Sequence, residues 1–263
     1  GLEATLILGI VLGALRRVGR REQEKMVWLG AGLAGLLSLT VGLTLYVVGI
    51  SFEGKAEEAF EGVAMLLAAG VLTWMIFWMN RQGRAIQAEL ELDVQRAAGS
   101  GGSWAIFALA FLAVFREGIE LALFLIAAAV TASATAVVLG GIAGLAAAAV
   151  AGWLVFATST RLNLRAFFRV TSILLIFFAA GMVAYGVHEL NEAGIIPAIV
   201  EHVWDMNGVL DENSGLGQVL KALLGYNGNP SLTEVLAYAG YWVAVLLALR
   251  RPEAQRELVQ ARA

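Results

Sequence analysis

Long apolar runs, each closed by a short polar stretch, set the pattern of this chain. Runs of roughly 18 residues or more, the length a helix needs to cross about 30 Å of hydrocarbon, fall near 26–50, 62–79, 104–131, 134–157, 170–187 and 232–249. Leu2 to Leu15 adds a further apolar run at the N-terminal end. At 1.5 Å per residue that run rises only about 21 Å, so this helix is expected to continue before Gly1. A cleaved signal peptide fits poorly, because no basic stretch precedes the run and Glu3 stands inside it. The alternation that marks barrel strands is missing. The pattern predicts an all-α, polytopic membrane protein of seven transmembrane helices.

Charge then orients the helices, since cytoplasmic loops retain Lys and Arg during insertion. Arg16, Arg17, Arg20, Arg21 and Lys25 follow the first span, Arg81, Arg84 and Arg96 the third, Arg161, Arg165 and Arg169 the fifth, and Arg250, Arg251, Arg256 and Arg262 the last. These are 15 of the 18 basic residues, so the N-terminus is placed outside and the C-terminus in the cytoplasm. The outer side holds Lys55 and Lys221 against Glu53, Glu57, Glu58, Glu61, Glu189, Glu192, Glu201, Asp205, Asp211, Glu212 and Glu234. Such a face concentrates cations, although acidic outer loops are also the plain complement of positive-inside bias.

The one long outer connection, 188–234, carries Ile196, Ile199, Val200, Val203 and Trp204 at helical spacing, and then Leu216, Val219, Leu220, Leu223 and Leu224. Both stretches are expected to form short interfacial helices. Gly99-Ser100-Gly101-Gly102-Ser103 reads as a flexible cytoplasmic joint. Gly9-x-x-x-Gly13 and Gly140-x-x-x-Gly144 are helix-packing signals. Met75 and Met79, one turn apart, are more simply core filling than a soft-metal path.

Composition narrows the chemistry. Hydrophobic residues make up 59% and charged residues 15%, well below the roughly 25% charge of a soluble domain. There is no cysteine, so any metal is held by oxygen or nitrogen. No phosphate-loop motif accompanies the helices, which excludes ATP hydrolysis by that route. Neither a nucleophile–base pair nor a cofactor motif is present, so the chain is not expected to be an enzyme or to hold a resident cofactor. Nothing points to nucleic acid.

The chemistry-bearing segment is Phe115-Arg116-Glu117-Gly118-Ile119-Glu120-Leu121, in the middle of the 104–131 span. A charge facing lipid there costs about 2.5–3.5 kcal/mol on insertion scales, so these side chains must face protein or water. Arg116 and Glu120 lie one turn apart, and Glu117 and Glu120 lie three residues apart on one face. A structural ion pair is the plainer reading. One Arg cannot neutralise two carboxylates, however, and Glu3 adds a third at comparable depth. The centre is net negative, which an arriving cation relieves.

Gly1-Leu2-Glu3-Ala4 and Gly118-Ile119-Glu120-Leu121 are near copies on spans of opposite direction. Spans 1–3 and 4–6 thus read as inverted repeats with one helix appended, an arrangement that places substrate near the midplane. Above this centre stand Glu57, Glu58 and Glu61, and then His188 and Glu189. Oxygen ligands suit Fe(III), Mg, Ca or Mn, and an imidazole moves the balance toward iron. Helix N-terminal charge compensation is an equally good account of any single one of Glu57, Glu58 and Glu61.

On these residues the chain resembles the oxidase-dependent iron permeases, the family of the fungal high-affinity iron permease and the bacterial iron permeases. The family's Arg-Glu-Gly-Leu-Glu motif stands here as Arg116-Glu117-Gly118-Ile119-Glu120, with a first copy surviving as Gly1-Leu2-Glu3. Glu57-Glu58-Ala59-Phe60-Glu61-Gly62, Val187-His188-Glu189-Leu190 and Leu224-Gly225-Tyr226-Asn227 are similar to further family features. The resemblance implies iron uptake through the cytoplasmic (inner) membrane, with Glu3, Glu117 and Glu120 as translocation ligands and Arg116 supporting them. It also implies an extracytoplasmic iron-binding or iron-oxidising partner. One permease domain, 1–263, would divide into a first three-helix repeat (1–79), a cytoplasmic linker (80–103), a second repeat (104–187), an outer interfacial segment (188–231), a last helix (232–249) and a tail (250–263). The alternatives are a carrier of another divalent metal, such as lead or manganese, and a non-transporting membrane scaffold held by structural ion pairs.

Overall fold

A computed structural model describes residues 2–82, 102–131, 134–157 and 164–260. Among these residues the chain is all-helical: α1 Leu2–Arg17, a 3-10 turn at Arg21–Gln23, α2 Glu24–Gly49, α3 Lys55–Gln82, α4 Gly102–Thr131, α5 Ala134–Ala157, α6 Leu164–Glu192, α7 Gly215–Leu224 and α8 Leu232–Gln260. Gly99, Ser100 and Gly101 of the expected joint, with Arg84, Arg96, Arg161 and Arg262, lie outside the described residues.

Every apolar run of the sequence becomes a helix. Among the described residues four stretches are long and apolar enough to cross a membrane: Arg21–Gly49, Lys55–Trp78, Val170–Glu192 and Leu232–Leu249. The chain is a membrane protein. The other long helices differ for stated reasons. α1 has 16 residues, α5 has its apolar stretch at Thr135–Val150, and α4, at 30 residues, carries Arg116, Glu117 and Glu120 at its middle.

The helices form two compact units. The first comprises Gly1–Ser51 with Val71–Leu174, and the second Phe52–Gly70 with Leu175–Ala263.

In the first unit α2 lies along α4, and the contact is made by small residues every fourth position. A Cβ on Gly30 would stand 2.6 Å from the Phe107 carbonyl oxygen, and one on Gly42 3.1 Å from the Ala122 Cβ. Between them Ala34 and Ser38 are buried, and Ser38 Oγ reaches the Phe115 carbonyl at 3.4 Å. Matched positions rise together along both helices, so α2 and α4 run parallel. Small residues permit this approach where lipid supplies no hydrophobic drive. Val11, Ala14 and Leu15 of α1 pack with Val27 of α2 and with Ile106 and Ala110 of α4. The end of α1 therefore meets the start of α4, and these two helices run antiparallel.

Three of the four glycines in the expected pairs do not make this packing. Gly13, Gly140 and Gly144 have open space where a Cβ would stand. Around them α5 presents Val138, Leu139 and Ile142, each more than half exposed, to the apolar surroundings. Spacing alone cannot tell a lipid-facing glycine from one beneath a neighbouring helix.

In the second unit α3 crosses α6 at two glycines. A Cβ on Gly62 would stand 2.8 Å from both the Gly186 carbonyl oxygen and Leu190 Cγ, and one on Gly186 3.0 Å from the Gly62 carbonyl. Farther along α6, Gly181 abuts the backbone of Gly225, which ends α7 at φ 70°, a left-handed cap that glycine adopts without strain. Phe177 stacks edge-on to Trp242 at 4.7 Å between ring centres, joining α6 to α8.

The second interfacial helix of the sequence reading forms as α7, capped by Ser214 Oγ accepting from Gly217 N at 3.0 Å. The first does not form. Residues 195–204 are irregular, because Pro197 has no N–H to give a helix and Ile199 stands at φ 62°. Their backbone pairs instead with the segment before α8, Val203 N donating to Pro230 O and Leu232 N to Val200 O, both at 3.0 Å.

Candidate functional site

α4 carries Arg116, Glu117 and Glu120 at its middle, and its backbone period decides where they go. Arg116 reaches forward one turn and donates from Nε to Glu120 Oε1 at 2.9 Å. Glu120 is buried, at 6% exposure. The Arg116 guanidinium also lies over two rings of α3, 4.6 Å from the centre of Trp78 and 5.0 Å from that of Trp74. Trp faces attract a cation through the ring quadrupole, so the rings and Glu120 together seat the charge. Arg116 Nη2 is buried without a hydrogen-bond partner among the described residues.

Glu117 faces a different surface. With Gly118 it lines a cavity of about 740 Å³ among α1, α2, α4 and α5, whose other walls are mostly apolar. Glu117 is the one carboxylate among the described residues that line it. Ala4 and Thr5 of α1 line the same cavity. Glu3 lies one residue before them on the α1 backbone, and its side chain lies outside the described residues. Gly118, between the two glutamates, is where Ser38 of α2 comes closest.

In the second unit Glu57 and Glu58 stand in the first turn of α3 and Glu61 one turn on. His188 and Glu189 stand near the end of α6. The Gly62–Gly186 crossing brings these helix ends together. Glu61 feels the charges of Glu189, Glu57 and Glu58, and Glu189 feels those of His188, Glu58 and Lys221. Glu58 Oε2 is buried with no hydrogen-bond partner among the described residues, the condition of an oxygen that a cation or proton would satisfy. The carboxylates approach without converging. Among the described residues no three His, Asp or Glu lie close enough to hold one ion.

Sequence reasoning assigned no site role to a buried carboxylate of this unit that has three hydrogen-bond partners. Glu234, 3% exposed, accepts at Oε1 from the Ser231 backbone N at 3.0 Å and at Oε2 from Asn227 Nδ2 at 2.8 Å. It also lies 3.1 Å from His188 Nδ1. Glu234 N donates in return to Ser231 Oγ at 3.2 Å. The signal was legible: Ser231-Leu232-Thr233-Glu234 has the spacing of a capping box at the head of an apolar run. Trp74 and Trp78 also went unread, since an aromatic pair one turn apart reads as ordinary core. Met75, between them, is core, at 8% exposure, and the side chain of Met79 lies outside the described residues.

Comparison with known proteins gives this geometry a family. A relative in Shigella sonnei (strain Ss046), named ferrous iron permease EfeU, is 36% identical over 96% of this chain and 92% of its own length. One in Yersinia pestis, of the same name, is 33% identical over 96% of this chain and 90% of its own. A relative in Escherichia coli (strain K12) matches as well as the first, at 36% identity over 96% of this chain and 92% of its own, and its name marks it as inactive. No solved structure matches. The profile of the iron permease FTR1 family matches residues 1–251, and the chain belongs to that family.

Proposed function

We propose that this protein takes up iron ions across the cytoplasmic membrane, using Glu117, Glu120 and Glu3 as translocation ligands and Arg116 as their resident counter-ion. The observation that carries the reading is the division of labour on α4. Glu120 is buried against Arg116, and Glu117, three residues away, opens to a cavity. A lock between helices accounts for Arg116 and Glu120, and a metal path accounts as well for Glu117 on the cavity wall. The relatives named as ferrous iron permeases support the substrate.

The chain crosses the membrane seven times, with the N-terminus outside and the C-terminus in the cytoplasm. The parallel run of α2 and α4 supports this, because α3 must then return between them. The antiparallel run of α1 and α4, with Ala4, Thr5 and Glu117 on one cavity, supports inverted repeats. It also supports Glu3 as the third ligand.

Glu57, Glu58, Glu61, His188 and Glu189 attract iron at the outer face, where an extracytoplasmic iron-binding or iron-oxidising partner delivers it. Their spread suits transit, in which an ion keeps part of its water and is not caged. A negative-inside potential then favours inward movement by about 2.3 kcal/mol per elementary charge per 100 mV.

Reconstitution tests the substrate. Protein in proteoliposomes should pass iron inward under an inside-negative potential, with manganese competing weakly. Manganese carried as fast as iron would replace the iron reading with a general divalent carrier.

A further inference from the structure

We propose that Glu234 is a positioning residue that fixes the His188 ring with its Nε2 lone pair available to an incoming transition-metal ion. The inference rests on the reading of His188 as an outer iron ligand and assigns a role to a carboxylate that this reading leaves unused.

Glu234 cannot serve as a ligand itself. It is 3% exposed, and its oxygens already accept from His188 Nδ1, Ser231 N and Asn227 Nδ2, three of the roughly four directions a carboxylate offers. Helix capping does not account for all three bonds. The reciprocal pair with Ser231 completes the capping box, and the bond to His188 is additional to it. A second tie holds the same two elements in register. Ser231 Oγ donates to Asn191 Oδ1 at 2.8 Å, and Asn191 stands three residues beyond His188 on α6.

The consequence is chemical. An ionised carboxylate only accepts, so Nδ1 carries the hydrogen, and in the neutral ring the lone pair is on Nε2. Metal-bound histidines are commonly held in this way by a carboxylate on the other ring nitrogen. His188 Nε2 has no hydrogen-bond partner among the described residues, and the side chain is 33% exposed. Glu189 and Glu192, whose charges act on the ring, supply the negative surroundings. The edge of Tyr185, 6.0 Å away between ring centres, confines it on one side.

The chain has two histidines, His188 and His202, so histidine 15N spectra of the full chain in nanodiscs resolve both rings once His202→Asn assigns them. Above neutral pH, His188 should show a protonated Nδ1 and a bare Nε2, and manganese(II) should broaden Nε2 first. In Glu234→Gln the amide can offer its own N–H to Nδ1. The ring should move to the Nε2–H form and lose the broadening, and half-saturation for iron uptake should rise about tenfold, the low end for loss of such a partner, with maximal rate kept. Ser231→Ala, which removes the capping bond from Glu234 N and the tie to Asn191 but spares the bond to His188, should lower thermal stability and leave tautomer and half-saturation alone. An unchanged tautomer or unchanged broadening in Glu234→Gln overturns the proposal. So does a Ser231→Ala shift in half-saturation as large as that of Glu234→Gln. Absence of uptake by the wild type, with Nε2 still broadened, would instead overturn the transport reading and leave the positioning role standing.

Discussion

Arg116 and Glu120 lie one helical turn apart on α4 and meet at 2.9 Å, Nε to Oε1, with the guanidinium resting over Trp74 and Trp78. An ion that takes Glu120 must displace Arg116, and a freed guanidinium at that depth needs somewhere to stay. The rings provide it. On the proposed reading, Arg116 is the counter-ion that stabilises the empty carboxylate and limits how tightly it holds a metal.

The aromatic seat is therefore expected to set affinity. Each ring contributes about 0.5–2 kcal/mol to a partly desolvated cation. Replacing both, Trp74→Leu with Trp78→Leu, leaves Arg116 with Glu120 as its main partner, so displacement costs more. Half-saturation for iron uptake should rise about tenfold, read from initial rates across iron concentrations. An unchanged half-saturation in the folded double variant would mean the rings only fill space.

The α3–α6 crossing should tolerate no side chain. In Gly62→Ala the new Cβ meets the Gly186 carbonyl and Leu190, and a helix carbonyl cannot turn aside. Such overpacking costs about 1–3 kcal/mol and should appear as a lowered midpoint of thermal unfolding in detergent. Gly140→Ala, where nothing lies within 4 Å, is the control and should leave the midpoint in place.

Gly118 makes a similar demand inside the site. An alanine there would press on Ser38, forcing α2 away from α4 between Glu117 and Glu120. Gly118→Ala should impair uptake at unchanged expression, and adding Ser38→Gly should restore it, because the second change removes the atoms in the way. Failure of the double variant to recover would point to a backbone requirement at Gly118.

The long elements were legible because lipid imposes a length and an apolar composition that few other structures share. The boundaries 26–50, 104–131 and 134–157 sit within two residues of α2, α4 and α5 at each end. The charged segment was legible because charge in the middle of a long apolar run must have a reason. What failed were inferences about neighbours. Gly140 and Gly144 carry a packing pattern where nothing lies within 4 Å of an added Cβ, while the close-packed stripe, Gly30, Ala34, Ser38 and Gly42, mixes three residue types. The expected helix over 196–204 counted apolar spacing and undervalued Pro197. The Glu234 network was missed because its members, from Asn191 to Glu234, come together only when the outer segment folds back on α6 and α8.

The central claim is that Glu120 is a ligand on the iron path, and uptake into proteoliposomes by Glu120→Gln beside the wild type tests it most directly. The glutamine keeps the size of the side chain and an acceptor for Arg116 but removes the charge. A folded variant that has lost iron uptake, with weak manganese competition in the wild type, is the expected result. Uptake at the wild-type rate would contradict the claim and leave the Arg116–Glu120 pair as a structural lock.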